Sequence, residues 1–215
     1  MKKIKNKNNK YNFIEAIKLL KKISTRKFNE SIDIAINLGI DPKKTDQNIK
    51  GTINLPYGNG KKKKIAVFSD KKKIIDADFI GLEDLAKKIK ENKIKFDIII
   101  ATPQTMKIVG KLGPILGPKG LMPNIKFGTI TNNIEKTIKK IKKGQINYKN
   151  DKNGILHLSI GKINFNNKYL KKNFQTCITT IKKNKPTTSK GIYIKKIFIS
   201  STMSPSLKIN KNLYN

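Results

Sequence analysis

The chain has 215 residues, enough to bury one large core or two small ones, and its 48 lysines and arginines against 14 aspartates and glutamates give a formal net charge of +34. A charge of this size favours a polyanionic partner such as nucleic acid, because lysines that neutralise phosphates release condensed counterions. The single cysteine, Cys177, excludes an internal disulfide, and the longest apolar runs are too short for a secretory signal or a membrane span, so we expect a soluble cytosolic protein.

The charge alone does not assign the partner. Arg26 is the only arginine, so nearly all of the positive charge is lysine. An A- and T-rich coding sequence also enriches lysine, asparagine and isoleucine, and all three are abundant here. Part of the +34 therefore reports codon composition rather than function.

The N-terminal part of the chain predicts a helix followed by two strands. Asn12 and Glu15 have the spacing of a capping box, which opens a helix. Over residues 31–40 apolar side chains alternate with polar ones, which predicts a half-buried strand, and residues 49–55 predict a second strand. We expect the two strands to pair antiparallel, because the loop between them is too short for a helical crossover.

The middle of the chain has a different character. Residues 65–68 and 96–101 are continuously apolar, which indicates strands covered on both faces, and residues 82–92 between them predict a helix. This βαβ pattern is followed by Thr102-Pro103, which predicts a helix start, and then by a long loop rich in glycine and proline.

The last third returns to antiparallel patterns. Residues 145–149 and 155–160 flank a loop with Asn153-Gly154, which predicts a hairpin. A helix over residues 167–183 and a strand over residues 192–200 follow. Antiparallel ends around a parallel middle predict a chain of mixed α/β and α+β class, in which one domain is inserted into another.

The glycine- and proline-rich loop, residues 109–124 with the sequence VGKLGPILGPKGLMPN, is the most distinctive segment. Patterned loops longer than about 12 residues are usually functional. It superficially resembles a phosphate-binding Walker A loop, but its glycine spacing is one residue short and Gly120 follows the lysine where serine or threonine is needed. The single histidine, His157, has no carboxylate pair or nucleophile beside it in the sequence pattern, so we predict no catalytic residue, metal site or cofactor.

Three segments together resemble the ribosomal protein L-one family of bacterial type, the universal stalk protein of the large ribosomal subunit. They are VGKLGPILGPKGLMPN with the following KFGTIT, the N-terminal block KFNESIDIAINLGIDPKKTDQNIKGTINLP, and the C-terminal block GIYIKKIFISSTMSPS. The resemblance implies an antiparallel α+β rRNA-binding domain built from residues 1–57 and 149–215, with an inserted Rossmann-like α/β domain over residues 58–148.

The resemblance also implies the function. Members of the family are structural constituents of the large subunit that bind large-subunit rRNA at the mobile stalk, assist release of tRNA from the exit site and, in bacteria, repress translation of their own messenger RNA. It implies no catalysis, no cofactor and no membrane. The expected partners of this chain are therefore rRNA, exit-site tRNA and its own mRNA, on a cytoplasmic ribosome.

Carried over position by position, the resemblance implies two sets of contact residues. In the first domain the expected RNA-binding residues are Lys27, Phe28, Ser31, Gly161, Lys162, Thr202, Met203 and Ser204. In the second domain the glycine- and proline-rich loop, with Gly113, Gly117, Lys119, Gly120 and Met122, is expected to shape a surface that faces RNA or tRNA. Apolar side chains suit sugar and base faces, hydroxyls suit 2′-OH groups, and lysines suit phosphates.

This chain departs from the family pattern at three places. Ser204 stands where the family has a glycine, so RNA affinity falls unless the serine hydroxyl forms a compensating hydrogen bond. Lys119 stands where arginine is common, and lysine cannot form a planar two-pronged phosphate contact. The segment over residues 69–81 is shorter than the family's helix. A generic polybasic nucleic-acid binder and a phosphate-handling enzyme remain the alternative functions at this point.

Overall fold

The computed structural model describes residues 10–24, 27–69, 76–91 and 93–210. The helices in these ranges are α1 Phe13–Ile23, α2 Glu83–Lys90, α3 Met106–Gly110, α4 Gly113–Leu116, α5 Ile134–Lys142 and α6 Asn167–Lys183. The strands are β1 Lys10–Tyr11, β2 Ser31–Leu38, β3 Lys50–Asn54, β4 Ile65–Phe68, β5 Phe79–Gly81, β6 Ile98–Ala101, β7 Gln145–Lys149, β8 Ile155–Lys162, β9 Ile194–Ser201 and β10 Leu207–Ile209. Short 3₁₀ turns lie at Thr45–Gln47 and Ile125–Phe127.

The chain divides into two compact units. Unit 1 comprises residues 1–60 and 146–215, and unit 2 comprises residues 61–145. Unit 1 holds a sheet of strand order β1-β10-β9-β2-β8 and the strand pair β3-β7. The first residue of β7, Gln145, is the last residue of unit 2. Unit 2 holds a sheet of order β5-β4-β6. The predicted fold class, an α+β part built from both ends of the chain and an inserted parallel α/β part, is confirmed. The predicted domain limits, 57/58 and 148/149, stay a prediction.

The core of unit 1 lies between its larger sheet and two helices. In β2 the residues Ile32, Ile34, Ile36 and Leu38 are buried, so the predicted alternation of this strand is confirmed. The helices α1 and α6 supply the other side of the core, where Phe13 stacks on Phe174 at a centroid distance of 4.2 Å. The capping box of α1 also forms, with Asn12 N donating to Glu15 Oε2 at 3.2 Å.

Unit 2 is covered on both faces of its sheet, as the continuously apolar strands predict. Ala66 and Phe68 of β4 pack on one face with α2, α3 and α4, while Ile65 and Val67 pack on the other face with α5. All three strands are parallel, since β4 pairs in parallel with β5 and with β6. The strand β5 is absent from the sequence prediction, and the predicted shortening around it falls mainly on residues 70–75, outside the described ranges.

Two predicted strand pairings are wrong. The strand β2 does not pair with β3, because β8 and β9 occupy both of its edges and β3 pairs with β7 instead. The strands β7 and β8 do not form a hairpin ladder, because they belong to different sheets and the bridge between Asn150 and Leu156 is isolated. The turn between them is closed locally, with Asp151 Oδ1 accepting from Ile155 N at 2.7 Å.

The predicted helix start at Thr102-Pro103 is also displaced. Residues 102–105 form a turn, closed by Thr105 N donating to Thr102 O at 3.1 Å, and α3 begins at Met106. The Thr105 hydroxyl donates to Phe68 O at 3.0 Å, which ties the turn to the end of β4.

Candidate nucleic-acid interface

The strand order of unit 1 brings the three predicted RNA-binding segments to one end of one sheet. The strand β2 runs antiparallel to both β8 and β9, so its first residues lie beside the last residues of the other two. Ser31 pairs with Lys162, and Ile32 pairs with Ser201. We call this end of the sheet, with residues 27–29, 31, 161–162 and 201–204, the sheet-end face.

Direct hydrogen bonds join the segments of the sheet-end face. Ser31 N donates to Thr202 Oγ1 at 3.1 Å, across 171 residues of chain. Lys162 Nζ donates to Ser31 Oγ at 3.0 Å and to Asn29 O at 3.3 Å, which holds its charge at this end of the sheet. The face is therefore an ordered surface rather than a group of independent side chains.

Two large apolar side chains are exposed on this basic face. The side chain of Phe28 is 52% exposed and that of Met203 is 46% exposed. Lys27 and Thr202 are also exposed. Exposed apolar side chains beside lysines suit RNA, since bases and sugars offer apolar faces and phosphates offer negative charge. A groove of about 430 Å³ adjoins Lys27 and Phe28, with Lys21 and Asn29 in its walls.

Gly161 differs from the other predicted contact residues because it is buried. A Cβ atom at this position would lie 2.8 Å from Leu170 Cδ2 and 3.0 Å from Phe165 Cδ2. The packing of unit 1 therefore requires glycine here. This requirement is sufficient to explain the residue without a contact to RNA.

The hydroxyl of Ser204 is engaged within its own loop. Ser204 Oγ accepts from Ser201 N at 2.8 Å and donates to Pro205 O at 3.2 Å. Asp76 is the only non-glycine residue with positive φ in the described part of the chain, so Ser204 occupies a conformation open to any residue. A serine thus causes no backbone strain at this position, where the resemblance implied a glycine, and its hydroxyl closes the turn.

The sequence analysis missed Glu30, which is only 1% exposed and lies directly beneath the sheet-end face. Its carboxylate accepts hydrogen bonds from Ser24 Oγ, from Ser201 Oγ at 2.6 Å and from Met203 N at 3.1 Å. An acidic residue between Phe28 and Ser31 is the one feature in the sequence that could have drawn attention to it.

The predicted loop of unit 2 is more regular than expected, since α4 lies within it and the 3₁₀ turn Ile125–Phe127 directly follows it. Gly117, Lys119 and Gly120 are exposed, whereas Gly113 and Met122 are partly buried. Met122 packs against the core of unit 2, and Gly120 has a φ of +67°. The longest continuously exposed stretch of this loop is therefore the one from Gly117 to Gly120.

In the described part of the chain, the cysteine and the histidine are not part of a catalytic group. Burial raises the pKa of the Cys177 thiol to about 12, so the thiolate needed for nucleophilic chemistry is not populated at neutral pH. His157 is exposed, with Nε2 3.8 Å from Asp151 Oδ2. Hydrogen bonding from Ile155 N is the main cause that lowers the pKa of Asp151. Within the described residues no cluster of three histidine, cysteine or acidic side chains could hold a metal ion.

Comparison with known proteins gives the same family as the three segments. A model of the Ribosomal protein L1p/L10e family matches residues 20–205. The chain belongs to this family. Similar proteins include the large ribosomal subunit protein uL1 of Buchnera aphidicola subsp. Cinara cedri (strain Cc), which is 58% identical over 212 residues, or 95% of this chain and 94% of that protein.

Two other relatives carry the same name. That of Coxiella burnetii (strain RSA 493 / Nine Mile phase I) is 52% identical over 206 residues, covering 94% of this chain and 89% of that protein. That of Haemophilus influenzae (strain PittEE) is 50% identical over 206 residues, covering 94% and 90%. The family is one of ribosomal proteins, which confirms the prediction of a protein that is not an enzyme. No helix in the described ranges is long and apolar enough to cross a membrane.

Proposed function

We propose that this protein is a constituent of the large ribosomal subunit and binds large-subunit rRNA at the stalk through the sheet-end face. The observation that carries the proposal is the convergence of three distant segments, with Phe28 and Met203 exposed, at one end of the unit 1 sheet. The names of the relatives, large ribosomal subunit protein uL1, support the assignment to the large subunit. A location on the cytoplasmic ribosome follows from it.

In this proposal the face recognises RNA by shape and backbone. Lys27 and Lys162 meet phosphates, and the side chains of Phe28 and Met203 cover sugar or base faces. The hydroxyls of Ser31 and Thr202 already accept hydrogen bonds within the protein, and each retains its own proton to donate to RNA. Gly161 and Ser204 shape the surface beside these side chains.

The finer parts of the function belong to the same proposal. The exposed stretch from Gly117 to Gly120 in unit 2, which includes Lys119, faces RNA or exit-site tRNA and assists tRNA release. The sheet-end face also binds the protein's own messenger RNA, because a transcript segment that folds like the stalk rRNA would offer the same surface. Net charge of +34 supports both contacts, since each partner is polyanionic.

A titration tests the proposal. The full-length protein is titrated with a stalk rRNA fragment and with an unrelated RNA duplex of equal length, each at several salt concentrations. We expect tighter binding of the stalk fragment at every salt concentration. Equal affinity for both RNAs, falling steeply with salt in each case, would instead identify a generic polybasic binder.

Two variants test the site assignment. Phe28→Ala and Met203→Ala should each weaken stalk binding about tenfold, since each removes apolar contact area worth on the order of 1–2 kcal/mol. Ile192→Ala is the matched control, because Ile192 is 63% exposed in unit 1 and precedes Ile194, which pairs with Leu38 at the opposite end of β2. Unchanged stalk affinity in both test variants would refute the assignment while leaving the family membership intact.

A further inference from the structure

We propose that Glu30 positions the RNA-binding groups of the sheet-end face and thereby sets its preference for one folded RNA over others. The inference rests on the proposed function, because it concerns the geometry of the same face. Glu30 itself does not touch RNA: its side chain is buried, with 1% exposure.

The carboxylate joins two of the three segments of the face. Glu30 Oε2 accepts from Ser201 Oγ at 2.6 Å and from Met203 N at 3.1 Å, although Met203 lies 173 residues away along the chain. The second oxygen, Oε1, accepts from Ser24 Oγ just after the end of α1. The turn that presents Met203 is therefore held by an acceptor within the segment that presents Phe28.

The backbone of the same residue reaches the third segment. Ile163 N donates to Glu30 O at 3.0 Å, directly after Lys162 at the end of β8. One residue thus contacts the chain beside Lys162, the turn with Met203 and the end of α1. Movement of Glu30 would change the spacing between the groups that meet phosphate and those that meet the sugar or base.

The charge of Glu30 argues against a direct role in affinity. A carboxylate beneath the face repels phosphates, and its burial carries a desolvation cost. A carboxylate is an acceptor-only group, which suits donors such as Ser24 Oγ, Ser201 Oγ and Met203 N. The hydrogen bonds to Ser24, Ser201 and Met203 fix the geometry of the face, and fixed geometry affects specificity more than general attraction to RNA.

The test compares Glu30→Leu and Glu30→Gln with the unaltered protein, using the stalk rRNA fragment and the unrelated duplex. Leucine removes both side-chain acceptor oxygens, so stalk affinity should fall about tenfold or more, as expected for lost hydrogen bonds to a charged group. Glutamine keeps one acceptor oxygen and should cause a smaller loss of about threefold. Affinity for the duplex should stay equal or increase slightly, because each variant removes one negative charge.

A destabilised core variant provides the matched control. Leu38→Ala truncates a side chain with 2% exposure at the opposite end of β2, so it lowers the stability of unit 1 without touching the face. All variants are assayed well below their unfolding temperatures. If Leu38→Ala weakens stalk binding as much as Glu30→Leu does, Glu30 acts only through stability and the inference is overturned.

A spectroscopic measurement reports the position of the turn directly. The Met203 amide proton, donated to a carboxylate, should resonate downfield in the unaltered protein and move upfield in Glu30→Gln. If Glu30→Leu does not fold, the Glu30→Gln result decides. An unmoved Met203 resonance with unchanged stalk affinity overturns the inference.

Failure of the inference and failure of the proposed function give different results. If the unaltered protein binds both RNAs equally, the proposed function fails. If the unaltered protein prefers the stalk fragment and both Glu30 variants keep the full preference, the inference about Glu30 alone fails.

Discussion

The two candidate RNA surfaces of this protein are built in different ways. The sheet-end face of unit 1 is held by hydrogen bonds between residues far apart in sequence, such as Ser31 with Thr202 at a separation of 171 residues. The glycine- and proline-rich loop of unit 2 is shaped by local bonds. At its end, two hydrogen bonds join Asn124 to Thr129, five residues further along the chain. A surface of the first kind forms only when the whole unit folds.

The difference leads to distinct expectations for mutations. Loss of one polar group in unit 1 should disturb parts of the chain that are distant in sequence. Loss of one in the segment of unit 2 should disturb only its neighbours. Substitutions in both units test this contrast, beginning with the largest expected effect.

The largest effect is expected for Asn173→Leu in α6. Asn173 is fully buried, accepts from Tyr57 N at 3.2 Å and donates to Gly58 O at 2.9 Å and Ile160 O at 2.8 Å. Leucine has similar volume but leaves these backbone groups without their partner. We expect the free energy of unfolding of unit 1 to fall by roughly 3 kcal/mol, measured by urea denaturation.

The control for this variant is Thr176→Ala in the same helix. The Thr176 hydroxyl donates to Lys172 O within α6, in an exposed hydrogen bond that water can replace, so its loss should change stability by less than about 0.5 kcal/mol. Equal effects of the two variants would contradict the view that long-range bonds hold unit 1 together.

A medium effect confined to unit 2 is expected for Thr129→Val. Thr129 Oγ1 accepts from Asn124 N at 2.7 Å and donates to Asn124 O at 3.1 Å, and the residue is 4% exposed. Valine keeps the shape but removes the hydroxyl, so local stability should fall by about 1–2 kcal/mol. Hydrogen exchange of the Asn124 amide should accelerate accordingly.

The matched variant is Thr131→Val, whose hydroxyl accepts from Asn133 N at 3.1 Å in an exposed position where water can replace it. Its effect should be small. If Thr129→Val also weakened binding of the stalk rRNA fragment, the loss of one polar group in unit 2 would disturb more than its neighbours, contrary to our expectation.

The smallest changes in stability are expected for alanine substitutions at two glycines of the loop. Gly120 has a φ of +67°, whereas Gly110 closes α3, and a Cβ added at either position would meet no atom of the described residues within 4 Å. Since space is available at both, only backbone conformation differs. Gly120→Ala should destabilise by about 1 kcal/mol, and Gly110→Ala should stabilise by about 0.5 kcal/mol. Thermal unfolding of the two variants checks the opposite signs, and equal signs would contradict the conformational explanation.

The sequence predicted well those features that depend on near neighbours. The alternation in β2, the capping box at Asn12 and the doubly covered strand β4 follow from periodicity and local chemistry, and all three are confirmed. The three family segments, such as GIYIKKIFISSTMSPS, also identified the family, because motifs of this length are specific. The candidate contact residues likewise came from these segments.

The pairing of strands could not be predicted in the same way. The sequence placed β3 beside β2 because they are adjacent in the chain, whereas β8 and β9 occupy both edges of β2. Periodicity states which face of a strand is buried, but it carries no information about which strand lies beside it. The same limit explains why β7 and β8 were wrongly joined in a hairpin.

By itself, the sequence determined the family and the mixed fold class and supplied the candidate RNA-contact residues, since these depend on local patterns and on long motifs. Only the tertiary structure decided that these side chains share one sheet end and that Ser204 closes its own turn. It also showed that Glu30 lies buried beneath them as a common acceptor. The physical reason is that hydrogen bonds between residues more than 170 positions apart depend on the complete strand order, which no local pattern encodes.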